Sequence, residues 1–455
     1  MNDAKVHEEK KKPEGSSRLT LVTLFTVILI DAMGVSIIYP ILPSLFLQPT
    51  GLLGPTVATA TRDFWYAFSL TVFPIGMFLG MPIIGTLSDR FGRKKMMMFC
   101  LLGTVAGYII CMIGIGAGQK WIFFAGRFIS GLCAASSAIA MAAIADISVS
   151  TEDEVGKMGW PMVAQLGGFI IGPLIAGFAI NGKENSVHQY AIPFIIAAVV
   201  ALANAALLQF SFKETKRDTE AEGQMSFVEG FKEFKFIFTD KRVRLLALLY
   251  LFIQVGIQDY LQGISLILAQ AFNYSSGQLA IFFAVTGAAT AFAVVVVQPS
   301  LDKYTSAESL AHASARKQRI ASWLGIEPTT FWFCVFTGLI LLMAGIVPGV
   351  STQWICAMLV GGLSTLIGMR FMAIFSSAVE PWEQGKLMGG IGAILALAIV
   401  IASNDIGEFM KISHQLLLIV AAGTVLIPTM FIRKPVKRAL GTEEEAEEAP
   451  AYAEA

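Results

Sequence analysis

Gly85-Thr-Leu-Ser-Asp-Arg-Phe-Gly-Arg-Lys-Lys95 lies between two long apolar runs, at about 64–87 and 96–117. Such a short, basic stretch reads as a tight turn joining two membrane-spanning helices. Gly85 and Gly92 allow close backbone approach and a sharp reversal. Asp89 can accept hydrogen bonds from helix ends and pair with Arg93. Arg90, Arg93, Lys94 and Lys95 would hold the turn on the cytoplasmic side.

The rest of the chain agrees with this reading. Of 455 residues, 55% are hydrophobic and 15% charged, and the mean hydropathy is +0.67. Soluble chains carry about 25% charged residues, so this is an all-α integral membrane protein. Crossing a bilayer takes about 20 apolar residues in a helix. Twelve such runs occur, at about 19–46, 64–87, 96–117, 121–147, 158–180, 191–212, 245–271, 278–300, 330–350, 353–379, 387–410 and 414–433. With both ends cytoplasmic, the inner segments hold 27 Lys and Arg and the outer loops 4. That bias sets the orientation.

The chain divides into a polar tail (1–18), six spans (19–212), a charged linker (213–244), six more spans (245–433) and an acidic tail (434–455) whose last residues are expected to be disordered. The first apolar run is too long for a cleaved signal and should be retained. In the linker, Phe227, Phe231, Phe234 and Phe238 recur at helical spacing, as in a helix lying on the membrane surface. The halves echo each other. Glu154-Val-Gly-Lys-Met-Gly159 corresponds to Glu383-Gln-Gly-Lys-Leu-Met-Gly389, and Leu87-Ser-Asp-Arg90 to Ser300-Leu-Asp-Lys303. Such repeats imply two pseudo-symmetric six-helix bundles about an axis along the membrane normal. The loop 304–329 is longer than its counterpart; its Leu310, Ile320 and Trp323 suggest a short amphipathic helix.

The turn resembles the G-x-L-[SA]-D-R-x-G-R-[KR] loop of the major facilitator superfamily. That resemblance implies the superfamily's fold and alternating access, with Gly85, Asp89, Arg90, Gly92, Arg93 and Asp146 forming a cytoplasmic gate. Asp31-Ala-Met-Gly-Val-Ser-Ile-Ile-Tyr-Pro-Ile-Leu-Pro43 resembles the first span of the tetracycline-efflux branch of drug–proton antiporters. Asp31 falls about 18 Å deep at 1.5 Å per residue, where a carboxylate is costly unless it faces a cavity or a partner. Gly126-Arg127, with Gly131, Ala134 and Ala135, is similar to the superfamily's R-x-x-x-G-x-x-A-A motif, which implies that Arg127 is the counter-charge of Asp31 in proton coupling. Gly168, Gly172, Pro173, Ala176 and Gly177 resemble the antiporter motif G-x-x-x-G-P-x-x-G-G. The four-residue spacing predicts close packing of span 5, expected against the small residues Ala284, Gly287, Ala288 and Ala291 of span 8.

In the second half, Gln254, Gln258, Asp259 and Gln262 on span 7 and Arg370 on span 10 are expected to line a substrate cavity, with Asp259 either paired to Arg370 or leaving Arg370 for an anionic substrate group. The tetracycline branch has a histidine in span 8 and an aspartate in span 9, and this chain has neither, which argues against a histidine relay and against tetracycline as cargo. The five cysteines are scattered without metal spacing, and no P-loop, G-x-S-x-G or H-E-x-x-H is present. The net charge of +0 offers no field for nucleic acid. The expectation is therefore a non-enzymatic, cofactor-free monomer in a bacterial inner membrane, exporting small organic compounds against protons. The alternative is uptake of a small anionic metabolite or carboxylate siderophore.

Overall fold

A computed structural model describes residues 18–147, 151–180, 187–214, 236–306, 314–380 and 383–440. Twelve helices are long and apolar enough to cross a membrane. Spans 1 to 6 are Arg18–Ser36, Thr59–Ser88, Arg93–Gly116, Lys120–Ile144, Trp160–Ile180 and Val187–Ser211. Spans 7 to 12 are Arg244–Phe272, Ser276–Thr305, Ile326–Ile346, Val350–Ser377, Gly390–Phe409 and His414–Phe431. An apolar solvent leaves backbone groups no partner but the chain itself, which is why the runs form helices. Arg18 and Phe431 fall on one side, the basic face; the opposite side is the far face.

The spans pack mainly within each set of six. Span 3 lies on spans 4 and 6, span 2 on span 4, and span 1 on spans 5 and 6. Likewise span 7 lies on spans 11 and 12, and span 9 on spans 10 and 12. The two bundles meet where span 5 packs on span 8 and span 2 on span 11. Large apolar side chains such as Phe99, Phe178 and Phe210 point outward, as expected of a lipid-facing surface.

Interruptions in the helices follow local chemistry. Span 1 ends at Ser36, turns through Pro40, and continues as a short helix, Leu42–Leu47. Buried Arg62 secures that piece, donating to the carbonyls of Phe46, Leu47 and Gln48 at 3.3, 3.3 and 3.0 Å. Span 4 is broken: one helix ends at Cys133 and the next begins at Ser136. Span 8 carries a π-helical turn at Ala293–Val297 just before Pro299. Proline lacks an N–H and crowds the carbonyl four residues back, and the wider turn accommodates both.

Of the expected linker helix, Phe227, Phe231 and Phe234 lie outside the described residues. Its end, 236–239, is helical, with Ile237 buried against Gly390 of span 11. Of the amphipathic helix expected in the long loop, Leu310 lies outside the described residues, and Ile320 and Trp323 fall in a helix at Ala315–Trp323.

Candidate functional site

On the far face the two halves are joined. Tyr66 donates to the Gln262 carbonyl at 3.1 Å and lies 2.5 Å from Ser265 Oγ. Ser44 and Ser276 share a hydrogen bond of 2.9 Å, and Gln270 donates to Asp63 Oδ1 at 2.7 Å. Gln270 also meets His414 of span 12 at 3.1 Å. All but Gln270 and His414, which are half-buried, are buried at this junction, so the far side is the closed side of this structure. Of these residues the sequence pointed to Gln262, and then as a cavity residue; the others are single polar residues near span ends, which carry no distinguishing pattern.

Beneath that seal lies a cavity of about 330 Å3 between the halves. Its walls are mostly apolar, with Met77 and Met81 of span 2, Phe169 of span 5 and Leu395 of span 11. Tyr39, in the turn after span 1, stacks on Phe283 of span 8 with ring centroids 5.4 Å apart. The polar groups in the wall include Asp31, Ser137, Gln165, Gln258 and Ser364. Of these, Asp31 is the carboxylate.

Asp31 is held by the break in span 4. Ser136 Oγ donates to its two oxygens at 2.7 and 2.7 Å, and the Ser137 N–H donates at 2.6 Å. These donors open the second helix of span 4, where unsatisfied N–H groups and the helix dipole both favour an anion. The Ala134-Ala135 pair expected as a small-residue motif is where the helix breaks. Ser136 and Ser137 escaped notice, although serine is a common helix-capping residue.

Arg127 and Asp31 do not form the expected ion pair. Arg127 instead donates to the Gly34 carbonyl at 3.2 Å, with its guanidinium 4.4 Å from the Phe73 ring centroid. It is buried among Tyr39, Tyr108 and Cys111. Depth along two helices gave the right level but not the direction each side chain faces.

The second-half assignments need a similar correction. Gln258 lines the cavity. Gln254 donates to Tyr250 at 2.6 Å, and Gln262 accepts from Ser403 at 3.0 Å, so both are committed to neighbouring side chains. Arg370 bonds Asp302 of span 8 at 3.3 Å, not Asp259. Asp259 is fully buried, with both oxygens unbonded, and the charged side chain whose field reaches it is another acid, Asp405. Arg370→Gln combined with Asp259→Asn should therefore give no rescue. Their effects on unfolding should add to within about 0.5 kcal/mol, which a double-mutant cycle in thermal or denaturant unfolding would check.

At the basic face, Arg93 reaches Asp146 at 3.2 Å and Ser88 Oγ at 2.8 Å, so it ties the ends of spans 2 and 4 as expected. The side chain of Asp89 lies outside the described residues. Arg90 is exposed, over the Phe91 ring. Among the described residues nothing stands within 4 Å of where a Cβ on Gly85 would lie, so no described contact demands glycine there. Gly92 adopts φ +100°, a region that favours glycine. Glu214, just beyond span 6, accepts from the N–H groups of Arg93 and Lys94 at 2.8 and 3.2 Å, capping span 3. No local pattern around Glu214 signals that cap.

The Arg370–Asp302 pair ties spans 8 and 10, the counterparts of 2 and 4, so among the described residues each half carries a basic-face clamp of this kind. Gln298 adds bonds of 3.0 and 2.9 Å to Asp302. Beside span 7, Arg242 bridges Asp240 and Glu383, each at 2.8 Å. Its hydrogen bonds hold the Asp240 carboxyl below the usual carboxylate range. Arg93→Gln should lower stability only modestly, by about 1 kcal/mol or less, because the Asp146 pair is partly exposed. A loss far above that in thermal unfolding would mean that Arg93 carries more than this clamp.

The small-residue face of span 5 is redirected. Cβ atoms added at Gly168 and Gly172 would strike the backbone of span 1, at Leu29, Met33 and Ile37, not span 8. Ser36 Oγ donates to the Gly168 carbonyl at 3.0 Å across the same contact. Span 8 is met by Gly177, against Ala280, and by Ile170, against Gly287. Ala176 is buried, and Pro173 lies inside the helix.

Comparisons with known proteins agree with this architecture. The chain is 30% identical over 236 residues to the class B tetracycline resistance protein of Escherichia coli, covering 52% of this chain and 53% of that protein. It is 27% identical over 371 residues to the class D protein of Salmonella ordonez, covering 81% and 84%. Multidrug resistance protein 2 of Bacillus subtilis (strain 168) is 29% identical over 280 residues, covering 59% and 63%. The match thus spans about half of the class B protein and most of the class D protein. In fold, the chain is similar to the human organic anion transporter MFSD10 (TETRAN), with a TM-score of 0.65 at 17% identity, covering 91% and 99%. A D-xylose-proton symporter gives 0.70 at 14%, covering 93% and 98%. The family model described as Major Facilitator Superfamily matches residues 24–403, and with its twelve spans and paired bundles this multi-pass membrane protein belongs to that superfamily.

Proposed function

We propose that this chain exports small organic compounds from the cell by alternating access, driven by protons moving inward, as a monomer in a bacterial inner membrane with both ends cytoplasmic. The observation that carries the reading is Asp31. It is a mid-span carboxylate in the wall of the cavity between the halves, held by two serine donors rather than neutralised by a cation. An acid so placed can take up and release a proton while both bundles rearrange around it. The largely apolar wall suits lipophilic cargo, with Gln165, Gln258 and Ser364 to orient polar groups. Relatives named for tetracycline and multidrug resistance support export.

In this reading the Arg93 and Arg370 clamps fasten the basic ends of the bundles, while the Tyr66 and Asp63 bonds release when the far side opens. Energy comes from the proton gradient, and no cofactor takes part. The test uses everted membrane vesicles energised to an acidic interior and offered a panel of lipophilic drugs and dyes. At least one compound should accumulate, and a protonophore should abolish the accumulation. Accumulation unaffected by the protonophore would overturn proton coupling. In whole cells the same compound should rise when an uncoupler is added; a fall would reverse the direction.

A further inference from the structure

Two short helices on the basic face are absorbed by nothing in the transport cycle. One is Ala315–Trp323, in the long loop between spans 8 and 9; the other is Arg433–Ala439, directly after span 12. Both pack beside span 9. The first carries Arg316, Lys317 and Arg319 and no acid. The second carries Arg433, Lys434, Lys437 and Arg438 and no acid. The nearest acid at the start of span 9, Glu327, faces Arg433 at 3.8 Å, while the Arg433 guanidinium also sits 4.0 Å from the Phe331 ring centroid. Basic residues are therefore concentrated around one span end.

Their apolar sides show where they lie. In the second helix Val436 is buried in the bundle, and Arg433 and Lys434 are exposed. In the first, Ala321 is buried, whereas Ile320 and Trp323 are 42% and 62% exposed. Three residues apart, these two share one outward stripe. The chain enters span 9 at Ile326, only three residues after Trp323. That spacing fixes the helix at the level where hydrocarbon gives way to headgroups. Met430 and Phe431, at the end of span 12 just before the second helix, are also exposed. An exposed tryptophan and isoleucine flanked by cations, pinned at the bilayer edge, is a surface for lipid rather than for water.

We propose that these two helices bind the headgroup of an anionic phospholipid beside the start of span 9, with Ile320 and Trp323 seated among its acyl chains. The charge complements a phosphate, and the apolar stripe demands that the phosphate belong to a lipid. Such a lipid would brace span 9 against span 12 at the end of the bundle where the second half carries its clamp.

The test uses the full-length protein in detergent, followed by thermal unfolding. Added dioleoyl-phosphatidylglycerol should raise Tm more than dioleoyl-phosphatidylcholine does, and high salt should erase the difference. R316Q/K317Q/R319Q and K434Q/K437Q should each lose at least half of the phosphatidylglycerol-specific shift. K213Q, on the same face beside the other bundle, should keep it. I320S/W323S should also lose the shift although every charge remains. Inorganic phosphate should give none. The proposal fails if both charge variants respond as the wild type does, or if phosphate reproduces the shift. It fails equally if the shift appears only after residues 441–455 are deleted, which would make the acidic tail the occupant.

Discussion

Asp31→Asn should abolish gradient-driven accumulation while leaving the protein folded and able to exchange substrate. Asparagine keeps the shape, and its amide oxygen can still accept from the Ser137 N–H that now reaches Asp31 at 2.6 Å. Its amide nitrogen would face Ser136 Oγ, and that hydroxyl, now a donor at 2.7 Å, can accept instead. What is lost is the strength of a charge-assisted bond, about 1 kcal/mol, and the capacity to carry a proton. In proteoliposomes with an imposed pH gradient, the wild type should concentrate a transported dye. Asp31→Asn should only bring inside and outside to equality, at a similar rate of exchange. If the variant still concentrates the dye, Asp31 is not the coupling acid. If exchange is lost too, while thermal unfolding is normal, Asp31 serves binding rather than coupling. Ser136→Ala offers an internal comparison: it removes one donor but leaves the carboxylate, so accumulation should persist with an altered pH profile.

The features legible in the sequence were those whose chemistry is local. The basic turn at 85–95, the number of spans and the echo between halves follow from composition and spacing. So does the place of Asp31 along span 1, because counting residues gives distance along a helix. Direction around the helix axis is a different quantity. Asp259 and Arg370 lie at compatible depths, yet Arg370 turns to Asp302 and Asp259 to the side of span 11. Gln258 and Asp259 are adjacent in sequence and therefore about 100° apart around the helix; one faces the cavity and the other does not. Contacts made by loops far apart in sequence, such as Glu214 on the start of span 3, carry no local signal at all. The helix break that cradles Asp31 was visible only as small residues, which equally suit an unbroken helix in close contact.

The same ambiguity decides the second large effect, at Gly168 and Gly172. A stripe of small residues says that something approaches closely but not what. Here it is the backbone of span 1, within two turns of Asp31. A Cβ on Gly172 would stand 2.9 Å from the Met33 carbonyl oxygen and 3.1 Å from the Ile37 nitrogen, besides meeting Ser36 Oγ. One on Gly168 would stand 2.7 Å from Ala32 Cβ and 2.9 Å from the Met33 nitrogen, besides meeting the Leu29 carbonyl. Backbone cannot rotate aside, so even alanine must push spans 1 and 5 apart. Gly168→Ala and Gly172→Ala should each cost about 1–3 kcal/mol, and Gly172→Leu should cost more or prevent folding. Gly287→Ala is the control. Its nearest obstacle is Ile170 Cγ1 at 2.8 Å, a side-chain atom that can turn, so the loss should stay below about 1 kcal/mol. Adding Ser36→Ala to Gly172→Ala should recover only part of the loss, because the Met33 carbonyl remains in place. The readouts are thermal unfolding and the pH dependence of accumulation. The second should move with the first, since displacing span 1 carries Asp31 away from Ser136 and Ser137. Were Gly172→Ala as stable as the wild type and Gly287→Ala not, span 5 would turn its small face to span 8 after all, and the seating of Asp31 described above would be wrong.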